Sequence, residues 1–152
     1  MVESHYSVIL DRMDKKIVPR GLRNNNPLNI RKGSKWVGER ATQTDHSFEQ
    51  FESMTYGVRA GFIILRQYMT GYNGLTEKFN TIDKMISRWA PRSENNTQAY
   101  IDHVSKLTGI PPHRLLSFGQ KNYMVAIVDA MIRVECGQPI DRSIIESAYD
   151  LI

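Results

Sequence analysis

The chain has 152 residues, 41% of them hydrophobic, and a mean hydropathy of -0.42, which suits one domain able to bury a sizeable core. No apolar run approaches the length needed to span a bilayer, and the single cysteine, Cys136, excludes an internal disulfide and implies synthesis in a reducing compartment. Twenty Lys and Arg against sixteen Asp and Glu give a net charge of +4 and a pI near 9.3, which accommodates an anionic bacterial envelope or weak nucleic-acid contact and selects neither.

The opening MVESHYSVILDRMDKKIVPR lacks a positive leader, an apolar core and a small-residue cleavage site, so no secretory signal is expected. Residues 1–19 read as an N-terminal extension or helix, with a short helix over 4–14. VPRG then breaks into RGLRNNNPLNIR, where Asn24, Asn25, Asn26 and Asn29 crowd around Pro27. Asparagine competes with backbone hydrogen bonding in helix interiors, so this is turn chemistry. A turn needs one or two such residues. The surplus points to a ligand rich in hydroxyl and acetamido groups, because each amide offers two donors and an acceptor without net charge.

LNIR at 28–31 and SFEQF at 47–51 are the only strand-like pieces, and they predict a small hairpin or two irregular strands. From Thr55 as N-cap a helix runs to about Gly71. Thr81 caps a second, stopped by Pro91; a third spans about 95–107 and ends at Gly109; Pro111 and Pro112 open a turn. The longest apolar periodicity follows in QKNYMVAIVDAMIRVECG, and a last helix begins after Asp141. No repeat, low-complexity tract or linker divides the chain, so residues 1–152 are expected to form one mainly α (α+β) domain.

Cleavage of a saccharide needs an acid. In the helix at 120–136, Met124, Ile127, Val128, Met131 and Glu135 fall on one face, so a buried stripe ends in a carboxylate. Desolvation and the negative end of the helix dipole, with Gly137 as terminator, both push the Glu135 pKa upward. A carboxylic acid kept protonated near neutrality is what general acid catalysis of glycosidic cleavage requires. The alternative, a Glu that is solvated or paired with Arg133 or Arg142, stays open. Asp45, ahead of Glu39 and Glu49, is the best candidate for a second carboxylate acting as base or nucleophile. Trp36 and Tyr100 are read as stacking platforms for pyranose rings, the alternative being half-buried aromatics whose N–H and O–H groups bond the backbone. Trp89 is assigned to the core.

The four histidines lack metal-ligand spacing, so no metal or other cofactor is expected. Cys136, late on an apolar helix, reads as an inert thiol. The cations Arg20, Arg23, Arg31, Lys32 and Lys35 form a basic cluster without the interleaved aromatics of a single-strand platform, leaving nucleic-acid binding the weakest reading.

RGLRNNNPLNIR, followed by W-x-G at Trp36–Gly38 and D-x-x-F-x-x-F at Asp45–Phe51, resembles a family of short phage and prophage proteins of the lysozyme-like superfamily, described as virion structural proteins or peptidoglycan-degrading enzymes. The same series is similar to the asparagine-rich stretch and aromatic strand of bacterial glucosaminidases. RWAPRSENNTQAYIDHV at 88–104 resembles the segment that sets a tyrosine beside the cleft, here Tyr100, and AIVDAMIRVECG at 126–137 resembles the transglycosylase helix carrying the catalytic glutamate, with E-C-G in place of E-S-G. The resemblance implies a lysozyme-like domain with a small β element near residues 28–51, and Glu135 as its acid. Glu135 lies after the asparagine loop instead of before it, the order a circular permutation would produce.

Peptidoglycan is thus the expected partner. Glycan-strand cleavage, as a lysozyme or a one-glutamate lytic transglycosylase, is the favoured function; a non-catalytic binding or structural role in a virion or secretion assembly is its rival. Either would be made in a bacterial cytoplasm and act at the cell wall or travel in a virion.

Overall fold

The computed structural model describes residues 18–71 and 76–152, and the helix expected over 4–14 lies outside them. The described chain is mainly helical. A four-residue turn of helix, α1 (Arg20–Arg23), precedes α2 (Met54–Thr70), α3 (Ile82–Trp89), α4 (Thr97–Thr108), α5 (Lys121–Cys136) and α6 (Arg142–Asp150).

Local chemistry explains the boundaries. The hydroxyls of Ser53 and Thr81 and the side chain of Asn96 accept from the amides three residues on, and Asp141 caps α6 by accepting from Ser143 N, two residues on. Helix α2 therefore starts at the Ser53 cap, two residues before the expected Thr55, because Ser53 is the residue with extended backbone and a free hydroxyl facing Tyr56 N. The glycine stops at Gly71, Gly109 and Gly137 all take the left-handed conformation. Helix α1 is the element the sequence reading missed: Leu22 and Arg23 amides both return to the Pro19 carbonyl before the asparagines take over.

The expected β element is slighter than a hairpin. Among the described residues it consists of two isolated antiparallel bridges, Arg31 with Phe48 and Glu39 with Phe51. Glu49 N reaches Ile30 O at 2.9 Å and Lys32 N reaches Ser47 O at 3.1 Å, so the two segments pair as foreseen but too briefly to make a sheet.

Helix α5 is central, packed against α1, α4 and α6, while α2 packs on α6 and α3, and α3 on α4. Met124, Ile127, Val128 and Met131 of α5 are fully buried together with Phe62 and Leu65 of α2, Met85 and Ile86 of α3 and Ile101 of α4. Phe62 meets Tyr149 edge-on at 5.5 Å, and Tyr149 stacks on Phe118 at 5.3 Å, closing the α2–α6 side.

What seats the asparagine loop is a pair of glycines one turn apart on α2. A Cβ at Gly57 would stand 1.8 Å from the Asn25 carbonyl oxygen, and one at Gly61 would stand 2.2 Å from Leu28 Cδ1. The loop backbone and the buried Leu28 side chain thus lie directly on bare helix. Gly57→Ala is expected to displace the loop and destabilise the protein by about 1–3 kcal/mol, as overpacking against backbone does, whereas Arg66→Ala on the exposed face of α2 should stay within about 0.5 kcal/mol of the wild type. Denaturant unfolding of the two variants makes the comparison.

Candidate functional site

The asparagine loop is built from its own amides. Asn25 and Asn29 both have a φ of 52°, a left-handed conformation that asparagine tolerates better than most residues. Asn26 is used in full by the backbone: its Oδ1 accepts from Ile30 N at 2.9 Å, and its Nδ2 donates to Ile30 O at 2.9 Å and Glu49 O at 3.0 Å. Asn25 Nδ2 donates to Phe51 O at 3.1 Å. Asn24 Nδ2 donates to Asp45 Oδ2 at 2.9 Å, while its Oδ1 accepts from Gln50 Nε2 at 3.0 Å. These amides, expected to face a saccharide, are turned inward: Asn24, Asn26 and Asn29 are all buried. A loop folded on itself over a helix has many backbone groups to satisfy, and that accounts for the surplus.

Asn29 makes the long-range connection. Its Nδ2 donates to Glu135 Oε1 at 3.2 Å and to the Glu135 carbonyl at 3.3 Å across a separation of 106 residues. One residue further, Cys136 Sγ donates to Pro27 O at 3.1 Å, so the end of α5 is strapped to the loop twice. Glu135 Oε2 accepts from Tyr100 OH of α4 at 3.0 Å and from Trp89 Nε1 of α3 at 3.3 Å. Trp89 is a core residue, as expected, and its contact with the acid is one the sequence reading did not foresee. Asn29 Oδ1 is buried without a hydrogen-bond partner among the described residues.

The carboxyl of Glu135 has 0% exposure, more complete than the partial burial expected at a helix end. Desolvation raises its pKa from 4.5 to about 7, against the lowering effect of the hydrogen bonds from Tyr100, Asn29 and Trp89. Burial and the nearby Glu135 charge push the Tyr100 phenol well above 10.0. Tyr100 therefore stays a donor, and Glu135 holds a proton across the acid and near-neutral range.

Asp45 stands in a different setting. Arg20 grips it with two bonds of 2.8 Å, Nε to Oδ2 and Nη2 to Oδ1, and the amides of Ser47 and Phe48 add bonds of 2.9 and 3.0 Å to Oδ1. The Arg20 guanidinium, helped by Asn24 and these amides, holds the Asp45 carboxyl well below the usual carboxylate range despite its burial. Arg20 also lies 4.7 Å over the Phe48 ring. Arg20, weighed from sequence only as part of a basic cluster, and Gln50, which the sequence reading did not single out, complete this clamp. A bidentate guanidinium partner leaves no distinctive trace in sequence.

Glu49 is buried, and its pKa is raised by desolvation and then by the charge and hydrogen bond of Glu39. Glu39 in turn accepts from Trp36 N at 2.8 Å. Trp36 is half-buried beside a cavity lined also by Ile30 and Ile64. The structure thus joins Glu135, Asn29 and Tyr100 in one cluster, holds Asn24 with Asp45 in another, and leaves Trp36 in a third place. No group of three or more His, Cys, Asp or Glu among the described residues could hold a metal ion.

Two outcomes follow from these proton affinities. Because the folded pKa of Glu135 lies above its ordinary value, the folded state binds the extra proton, and stability is lost as pH rises from about 4.5 through about 7. The loss is on the order of 3 kcal/mol. Melting temperature should fall from about pH 5 to about pH 8, and Glu135→Gln should flatten that fall. Asp45 has the opposite sign: its contribution is present above the carboxylate range and disappears as pH drops into it. Asp45→Asn should cost about 1–3 kcal/mol at neutral pH and leave the protein less sensitive to acid, read by thermal unfolding.

No protein-family model matches the chain. Over 122 residues it is 43% identical to Protein P5 of Pseudoalteromonas phage PM2, a stretch covering 78% of this chain and 71% of that protein. No helix among the described residues is long and apolar enough to cross a membrane. At that identity and coverage, the chain belongs to the family of the phage protein P5.

Proposed function

We propose that the protein cleaves the glycan strand of peptidoglycan, with Glu135 as general acid. The observation that carries this reading is a carboxyl that keeps its proton up to about pH 7 at the end of a helix, held by Tyr100 and by the asparagine loop. A proton donor for a glycosidic oxygen must be un-ionised at the working pH, and burial of this kind is how proteins achieve it. The meeting of loop and glutamate helix, far apart in sequence, also supports a lysozyme-like core with permuted order. Family membership places the chain among phage proteins, and a phage must breach this polymer to enter or leave its host.

Asp45 is a poor second carboxylate in this scheme, since both of its oxygens are engaged and its low pKa makes it a weak base. A lytic transglycosylase route fits better. There the substrate's own hydroxyl attacks, and one glutamate acts first as acid and then as base. Because Glu135 has no exposure in the described state, turnover requires the carboxyl to be uncovered. Its contact with Asn29, whose Oδ1 lacks a partner among the described residues, is the natural one to break.

The same complete burial favours a second reading, a non-catalytic component of a phage particle in which Glu135 only fastens the loop. Loss of turbidity in a suspension of purified cell walls decides between them. Cleavage predicts lysis by the wild type that declines as pH rises above about 7, and a loss of about 10²–10⁴-fold in Glu135→Gln with the fold retained. Binding to walls without lysis at any pH supports the structural role, and full activity in Glu135→Gln moves the chemistry to Asp45 or Glu39.

A further inference from the structure

The cavity beside Trp36 is distinct in composition from the buried Glu135 cluster. It has a volume of about 460 Å³, and its apolar surface comes from Trp36, Ile30 and Ile64. Its rim carries Arg31, Lys32 and Lys35, all exposed, and none of them forms an ion pair among the described residues. The nearby acids are occupied with loop backbone: Glu39 accepts from Trp36 N, and Glu49 from Gly33 N. Lys32 interacts with Glu49 at long range, so part of its charge is offset. The amides of Ser34 and Lys35, in contrast, have no acceptor among the described residues. Consecutive free backbone N–H groups ringed by cations are an anion-accepting arrangement.

Gln67 adds an amide able to donate to and accept from a hydroxyl or acetamido group. The Trp36 indole N–H is buried without an acceptor among the described residues, a donor that a ligand oxygen drawing the ring outward would satisfy. One indole with an apolar floor suits the face of a single pyranose, whereas a nucleic-acid strand calls for successive stacking platforms.

We propose that this cavity is a subsite for an acid-bearing sugar, a pyranose whose carboxylate is held by Lys32, Lys35 and the Ser34–Lys35 amides while its ring rests against Trp36. The assignment rests on the glycan reading above and narrows it: the site selects the carboxylated residue of the strand over its neutral neighbour. Two disaccharides that differ only by one carboxylate-bearing lactyl ether test it, N-acetylglucosaminyl-N-acetylmuramic acid and N,N′-diacetylchitobiose, titrated by NMR into the full chain.

The acid-bearing disaccharide is expected to bind about tenfold more tightly to the wild type, the effect of one or two charge-assisted hydrogen bonds. The variant Lys32→Gln/Lys35→Gln, changed only at exposed positions, should lose that preference while still binding N,N′-diacetylchitobiose. Raised salt should weaken the preference in the wild type. Equal affinities, no binding of either sugar, or a preference that survives in the double variant would overturn the proposal. So would tighter binding of an oligothymidylate through the same two lysines, which would assign the site to phosphate. Wall lysis without the preference removes the subsite and leaves the cleavage reading standing; the preference without lysis does the reverse.

Discussion

A carboxyl group taken fully out of water is tolerated only if it keeps its proton or finds strong partners, because an isolated buried charge is far too costly. Glu135 meets both conditions. Tyr100, Trp89 and Asn29 reach it from three separate segments, and none of the three is a cation. The result is a neutral, hydrogen-bonded acid where helices α3, α4 and α5 meet the asparagine loop. Any rearrangement of that loop changes the surroundings of the proton, and any change in the proton changes the hold on the loop.

The loop itself is a hub with two ends. At Asn24 it is tied to Asp45, and through Asp45 to the cation of Arg20. At Asn29 it is tied to Glu135. Between these ends Asn26 satisfies the turn internally, and Gly57 and Gly61 let the backbone lie against α2. An ionised carboxylate at one end and a protonated one at the other give the loop opposite responses to pH. Asn29 Oδ1, without a partner among the described residues, marks the end that is less completely satisfied there, and an unmet buried acceptor costs about 1–3 kcal/mol.

A buried acid of raised pKa belongs equally to a closed catalytic site and to a fastening in a particle protein, and membership of the P5 family places the chain with phage proteins without choosing between them. What separates the two is access. The Trp36 cavity bears on this, since Ile30 lines it and Asn29, the next residue back, holds the acid.

Much of this was legible in the chain alone, where local chemistry decides. Hydroxyl and carboxamide caps, glycine stops and the apolar stripe of α5 place five helices within one or two residues, because each signal acts through backbone groups only a turn away. The raised pKa of Glu135 was readable for the same reason, as a carboxylate closing an apolar face. The asparagine run was read as facing a ligand, whereas Asn24, Asn26 and Asn29 are buried and bonded within the protein, since a count of amides cannot tell whether they point at a ligand or at their own backbone. Only the folded chain brings Asn29 to Glu135, Arg20 to Asp45, and Leu28 onto Gly61. These contacts join residues far apart in sequence, and they depend on how α1, α2 and α5 pack, which no local pattern encodes.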